Sequence, residues 1–297
     1  VHPEYHSETL PFYGHPVYRR SLPTHLSRGL EEAAIAAGRW ISRSASPLVY
    51  PFIPQDRRDN HMYIKDFIAA MEEVAPSSLA EEYDESRIGL IVEGRDEIEE
   101  VCCALDATEK VVNAAVRTGV DMLVVHHTPL WRPVTSIRGA TSRLLSALLS
   151  AGMNLYVIHT NFDRAEGGVN DVLASLLGLS GTERMTTGIV GNCSLDPGGI
   201  ARLLPGGGIR VYGEVGLIRR LAVVGGAGFD PDLIQEAVDL GAEAFLSAEL
   251  KHSVARASPI PCLEATHYAL EAPAMEALAS HMGWHYIPDP PDVAIVP

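Results

Sequence analysis

From Met62 onward the sequence repeats one alternation: a short, almost unbroken apolar run, then a stretch with apolar residues at helical spacing. The runs are IGLIVEG (88–94), EVCCALDA (100–107), DMLVVHH (121–127), NLYVIHT (154–160), IRVYGEV (209–215), LAVVGGAG (221–228), AFLSAE (244–249) and CLEATHY (262–268). Continuous runs of this kind are the mark of strands covered on both faces. The helix candidates are IKDFIAAMEEVAP, TEKVVNAAVRTG, SRLLSALLSAG, VNDVLASLLGL, DPDLIQEAVDLG and APAMEALASHMG. Several stop at Gly, as a left-handed C-terminal cap requires. The pattern predicts an α/β fold.

A chain of 297 residues leaves room for about two domains or lobes. A faint internal repeat points the same way. VVNAAVRTGVDMLVVHH aligns with LIQEAVDLGAEAFLSAELKH: helix, Gly, acidic residue, strand, then polar groups suited to ligation. Each unit is followed by another short helix and strand, ending in HTNFD and in THYALE. We expect two related α/β lobes, roughly 62–185 and 186–297, that face one cleft. Ligands in open α/β sheets bind at the carboxyl ends of the strands.

Residues 1–61 differ. They hold seven prolines, and their seven arginines nearly balance six acidic residues. One helix is expected near 27–43. The rest reads as a loop-rich N-terminal extension, either an oligomer arm or upstream sequence preceding a start at Met62.

The whole chain sets 23 basic against 38 acidic residues, a net charge of −15. No broad basic surface is expected, which argues against duplex nucleic acid as a partner. An acidic protein that binds a polyanion needs a local cation, and a metal ion is one candidate. The four cysteines (Cys102, Cys103, Cys193, Cys262) form no C-x-x-C pair and read as structural thiols in a reducing compartment. No apolar stretch reaches the roughly 18 residues of a spanning helix. No signal-peptide pattern opens the chain. The expected setting is cytoplasmic.

Three motifs carry chemistry. His126-His127 close the strand DMLVVHH. Adjacent strand residues face opposite ways, but where the chain turns both can reach one cleft; alternatively they merely mark a loop. Asp163 follows the strand NLYVI within HTNFD, as a ligand or as a local cap. His267 and Glu271 stand at i, i+4 at a helix entry and so share one face, as a ligand pair or as an exposed pair. Together these three histidines and two carboxylates suit two ions of Zn²⁺, Mn²⁺ or Fe²⁺. His159, Glu249 and His252 are candidates to orient the ligands; a solvated helix start is the other reading of Glu249 and His252. The Gly225–Gly228 turn could bind phosphate by backbone N–H groups, or be only a tight turn. No Ser/His/Asp elbow or reactive-cysteine signature competes, and no catalytic residue can be singled out.

From Met62 to the C-terminus the chain resembles the NIF-three-like family of dinuclear-metal hexameric proteins, often described as type-two GTP cyclohydrolase I homologues. The motifs are LAEEYDESRIGLIVEG, ALDAT, GVDMLVVHHTPLW, HTNFDRAEGGVNDVLASLLGL, VVGGAG, SAELKHSVARA and THYALEAPAMEALA. The resemblance implies that His126, His127, Asp163, His267 and Glu271 are metal ligands. It also implies a two-lobed fold and a ring-shaped homo-hexamer whose sites face an interior cavity. Two departures stand out: Thr128 separates the paired histidines from Pro129, and the family's Thr-Gly-Glu reads Ser247-Ala248-Glu249.

Two functions follow. The first is a metal-dependent hydrolase acting on a nucleotide or related phosphorylated or ring substrate. The second is a non-enzymatic metal-binding oligomer, a carrier or a regulatory scaffold.

Overall fold

The computed structural model describes residues 62–206 and 208–293. The extension at 1–61, with the helix expected near 27–43, lies outside the described residues.

The chain opens on a short strand, β1 (Met62–Tyr63), and a helix at Ile64–Val74. That helix buries Phe67, Met71 and Val74, one apolar stripe at i, i+4 and i+7. Next come β2 (Gly89–Val92) and β3 (Glu97–Ile98), the latter antiparallel to β1. An α/β alternation follows: β4 (Val101–Asp106), a helix at Glu109–Thr118, β5 (Met122–His127), a helix at Gly139–Ala151, and β6 (Asn154–Val157). Thr108 caps the first of these helices by accepting a hydrogen bond from Val111 N–H, and Gly119 ends it at φ 77°. A left-handed residue there returns the chain toward β5 at little steric cost.

Two helices, Thr160–Arg164 and Val169–Leu176, lead out of this lobe. The second lobe begins with the hairpin β7 (Ser180–Arg184) and β8 (Ile189–Leu195) and a helix at Pro197–Leu203. It continues with β9 (Ile209–Tyr212), β10 (Ile218–Val223), a helix at Pro231–Asp239 and β11 (Ala244–Ser247). A short helix at His252–Ala257, β12 (Cys262–Ala265) and the long helix His267–Met282 complete it. The last strand, β13 (His285–Tyr286), returns to the first lobe and pairs with β4.

The sheet orders are β13-β4-β5-β6-β2 and β7-β8-β10-β11-β12-β9. In the first, β4, β5 and β6 run parallel and β2 is antiparallel to β6. In the second, β10, β11 and β12 run parallel and β9 is antiparallel to β12. The blocks β4-β5-β6-β2 and β10-β11-β12-β9 are therefore the same arrangement twice. The faint sequence repeat reflects two related lobes.

The expected strands are all present but shorter at their ends. NLYVIHT stops at Val157 and CLEATHY at Ala265. LAVVGGAG stops at Val223 and gains Ile218–Arg220 upstream. The hairpin β7–β8 was not expected. All five residues of β7 are solvent-exposed, so no buried face imprints a pattern on SGTER.

Two helices join the lobes. His267–Met282 places Met275 and Leu278 in the core of the first sheet, and Ala269 and Leu270 in that of the second. Val169–Leu176 likewise gives Val169 and Val172 to one and Leu173 and Ala174 to the other. A helix covered from both sides is apolar nearly all round, which explains the Ala-rich sequence of 267–282. Pro273 lies inside it.

Candidate metal centre

The site collects at the carboxyl ends of the strands. His126 and His127 are the last two residues of β5. They leave the sheet in different directions, yet their ring centroids are 4.9 Å apart at an interplanar angle of 60°. His126 is completely buried. After β6, His159 precedes a short helix that carries Asp163 in its first turn. After β12, Thr266 caps the long helix, and His267 and Glu271 follow on one face. The pairs His159/Asp163 and His267/Glu271 occupy matching places in the two lobes, each at i, i+4.

All five residues expected as ligands come together. Glu271 is at the centre. Its Oε2 is 3.0 Å from His127 Nε2 and 3.0 Å from His267 Nε2. Its Oε1 is 3.7 Å from His126 Nε2, which is 3.5 Å from Asp163 Oδ1. Three three-residue groups suited to a metal ion follow: His127/His267/Glu271, His126/Asp163/Glu271 and His126/His127/His159. Glu271 belongs to the first two.

Three carboxylates stand behind three imidazoles. Asp106 Oδ1 is 2.8 Å from His127 Nδ1, Glu249 Oε1 is 2.7 Å from His267 Nδ1, and Asp84 Oδ2 is 2.7 Å from His159 Nδ1. Ligating histidines characteristically donate their second ring N–H to such a partner, which fixes tautomer and ring orientation. Of the three residues expected to orient ligands, Glu249 and His159 join the cluster. His252 opens an exposed helix and belongs to none of the metal-ligand groups. Glu249 holds φ 61°, the only positive φ of a non-glycine residue among those described. Such a conformation is costly and persists where surrounding structure imposes it; here it aims the carboxylate at His267.

Asp84 and Asp106 were missed from sequence. Asp84 is fully buried and also accepts from Thr160 N–H and Thr160 Oγ–H at 3.2 and 2.9 Å. No local pattern marks it: it lies 75 residues from His159. Asp106 ends β4 and was within reach of sequence reasoning, because β4 and β5 are parallel neighbours in which Asp106 stands opposite His127.

The Gly225–Gly228 turn presses on the same centre. Gly226 sits at φ 64°, and a Cβ there would lie 2.2 Å from Glu271 Oε1 and 3.1 Å from His267 Nε2. Only glycine lets the backbone approach so closely. Ser247 holds the turn against β11, its Oγ–H donating to Gly226 O and its Oγ accepting from Gly228 N–H, both at 2.8 Å. Thr128, the residue between the paired histidines and Pro129, is buried and accepts from Leu130 N–H at 3.2 Å.

The electrostatics fit a cation site. Both ring nitrogens of His126 and Oδ1 of Asp163 are buried without a hydrogen-bond partner. Buried polar atoms are rarely left this way, and a cation between His126 Nε2 and Asp163 Oδ1, 3.5 Å apart, would take a lone pair from each. Burial pushes His126 down to about 4, against the pull of Glu271. Burial opposes charge on His127 too, but its bonds to Asp106 and Glu271 outweigh that and raise it to about 10. His267 rises to about 9 against burial, through Glu271 and Glu249. Asp163 lies well above the usual carboxylate range, through burial and the Glu271 charge beside it. Burial works the other way on Glu271, but the surrounding imidazoles of His126, His127 and His267 hold it well below that range. The donors are imidazole and carboxylate only, a set suited to Zn²⁺, Mn²⁺ or Fe²⁺. The four cysteines are free thiols in no ligand group, three of them buried.

A cleft of about 790 Å³ opens beside the cluster, lined by His127, His159, Asp163, His267 and Glu271 and by the glycine turn.

Fold and cluster together define a two-lobed α/β protein with a set of candidate metal ligands in its interlobe cleft. The family model for Duf34/NIF3 (NGG1p interacting factor 3) matches residues 62–287, and the chain belongs to that family. A "GTP cyclohydrolase 1 type 2 homolog" of Streptomyces coelicolor is 32% identical over 246 residues, 74% of this chain and 85% of that protein. A Pyrococcus abyssi protein of the same name is 35% identical over 215 residues, 66% of this chain and 84% of its own length. Among solved structures, reduced HcgD from Methanocaldococcus jannaschii superposes with TM-score 0.65 at 30% identity, covering 77% of this chain and 98% of its own. TTHA1606 from Thermus thermophilus gives TM-score 0.66 at 26% identity, covering 78% and 99%.

Proposed function

We propose that this chain is a dinuclear metal-dependent hydrolase acting on a nucleotide or a related phosphorylated ring substrate. The observation that carries the reading is the shared place of Glu271 in two adjacent ligand groups. One ion would be held by His127, His267 and Glu271, the other by His126, Asp163 and Glu271. Such a pair, when bound, polarises a substrate oxygen and makes water a nucleophile at neutral pH. The chain's own residues do the rest. Asp106 and Glu249 fix the rings of His127 and His267. Gly226 holds the backbone against Glu271 and excludes side-chain bulk there. His159, oriented by Asp84, lines the open side of the cluster and offers its remaining ring nitrogen to a ligand in the cleft. The names of the relatives supply the nucleotide part of the proposal.

The assembly we propose is a cytoplasmic homo-hexamer, its clefts facing an interior cavity; this rests on the family resemblance. Free cysteines, and the lack of a helix long and apolar enough to cross a membrane among the described residues, are consistent with it.

The test is turnover of metal-loaded protein against nucleotides and phosphodiesters, wild type beside Asp163→Ala. Turnover that is lost in a folded Asp163→Ala variant supports the hydrolase. Tight, stoichiometric metal with no turnover on any substrate replaces it with the carrier or scaffold.

A further inference from the structure

The outer rim of the cleft carries a group that the metal cluster leaves unexplained. Trp131 is 43% exposed and Tyr83 is 58% exposed, and both line the cleft. Between them lies Arg87, its guanidinium 5.8 Å from the Tyr83 ring centroid and 5.6 Å from that of Trp131. The indole meets the ring of His159 at 5.2 Å between centroids and 79° between planes. The rim and the cluster are thus in direct contact.

These three residues are fixed to the site rather than scattered on the surface. Arg87 N–H donates to Asp84 O at 2.7 Å, and the Asp84 side chain holds His159. One short segment, 83–87, therefore carries both Tyr83 and Arg87 of the rim and the aspartate that orients His159. Arg164, the other arginine of the cleft region, is neutralised by Glu81. Arg87 is held by aromatic rings, and among the described residues no carboxylate forms a salt bridge with it. On a chain of net charge −15, a cation beside the cleft with no salt-bridge partner among the described residues is available to an anion.

We propose that Trp131 and Arg87 form the recognition subsite of the cleft, Trp131 stacking a planar heteroaromatic ring and Arg87 pairing with a phosphate on the same ligand. The proposal deepens the hydrolase reading and rests on it for the role of the ligand as substrate. An indole exposed in the cleft gains contact when a flat ring covers it. Stacking on a single aromatic side chain typically changes affinity by about tenfold or more. A guanidinium supplies the planar, permanently charged donor set that phosphate oxygens accept. Placement matters as much as affinity: a ring on Trp131 lies one side chain, His159, away from the metal ligands.

The test measures binding of guanosine 5′-monophosphate, guanosine and ribose 5-phosphate to the metal-loaded full chain by calorimetry. Indole fluorescence is a second readout: of the three tryptophans, Trp40, Trp131 and Trp284, the Trp131→Phe variant isolates the share that comes from Trp131. Trp131→Ala is expected to weaken the monophosphate and guanosine about tenfold or more and to leave ribose 5-phosphate unchanged. Trp131→Phe should keep affinity within about threefold while abolishing the ligand-induced quench. Arg87→Gln should weaken the two phosphorylated probes about tenfold and spare guanosine. Equal affinity of Trp131→Ala and wild type for guanosine overturns the proposal, as does a wild type that binds the monophosphate no better than ribose 5-phosphate. Elemental analysis of each variant keeps the two readings separable. If wild type holds no metal, the hydrolase reading fails, while the ring-binding comparison on the same protein still decides this one.

Discussion

Metal loading should expel protons, and the number follows from the electrostatics of the cluster. Before metal binds, His127 (about 10) and His267 (about 9) are imidazolium at pH 7. Burial and the neighbouring Glu271 charge hold Asp163 well above the usual carboxylate range. His126, near 4, is already free of its proton, and Glu271 is already ionised. All five must be unprotonated to ligate. Filling both positions at pH 7 should therefore release the protons of both His127 and His267, about two per chain. Displacing the proton from His127 alone costs about 4 kcal/mol at pH 7, three pH units at about 1.36 kcal/mol each. Apparent affinity for the ion pair should rise about a hundredfold per pH unit between pH 6 and 8, about tenfold for each imidazolium proton displaced. The assay is calorimetric metal titration in buffers of differing ionisation enthalpy, where the slope of observed heat against that enthalpy counts protons. A slope below one proton per chain would refute the arrangement, because it would mean that Asp106, Glu249 and Glu271 do not hold protonated imidazoles.

The same groups set the stability of the metal-free protein. His127, His267 and Asp163 have raised folded-state values, so their contribution is present at low pH and lost as pH rises through those values. Metal-free protein should lose melting temperature from about pH 6.5 to about pH 10, and saturating metal should remove that trend. Gly226→Ala puts a Cβ 2.2 Å from Glu271 Oε1 at a positive φ, so bound metal per chain, read by elemental analysis, should fall even where circular dichroism shows an intact fold. Glu249→Gly should separate stability from function. Relief of the φ 61° strain raises stability by about 1 kcal/mol in thermal melts, while loss of the carboxylate behind His267 weakens metal binding about tenfold or more.

The fold was legible because burial on both faces of a parallel strand leaves a continuous apolar run, as in MLVVHH of β5. Where both faces meet water, that imprint is lost, and the hairpin went unread: β7 is exposed throughout and only the first three residues of β8 are buried. The five candidate ligands were legible because each follows a strand at its carboxyl end, and His267 and Glu271 carry helical spacing. Asp84 was not, because its partner His159 is brought to it by tertiary packing from another part of the chain. Gly226 read as an ordinary turn residue. Only the approach of its backbone to Glu271 shows why the position excludes a side chain.

The central claim is that Glu271 joins two metal positions, with its two oxygens turned toward different partners. Glu271→Gln keeps the shape and removes the negative charge between the ions. The direct measurement is divalent-metal titration by calorimetry, with elemental analysis, on wild type and Glu271→Gln. Wild type should bind two ions per chain, and the variant should lose far more affinity for the second than for the first. Two unchanged binding steps in the variant, or a single ion per chain in the wild type, would contradict it.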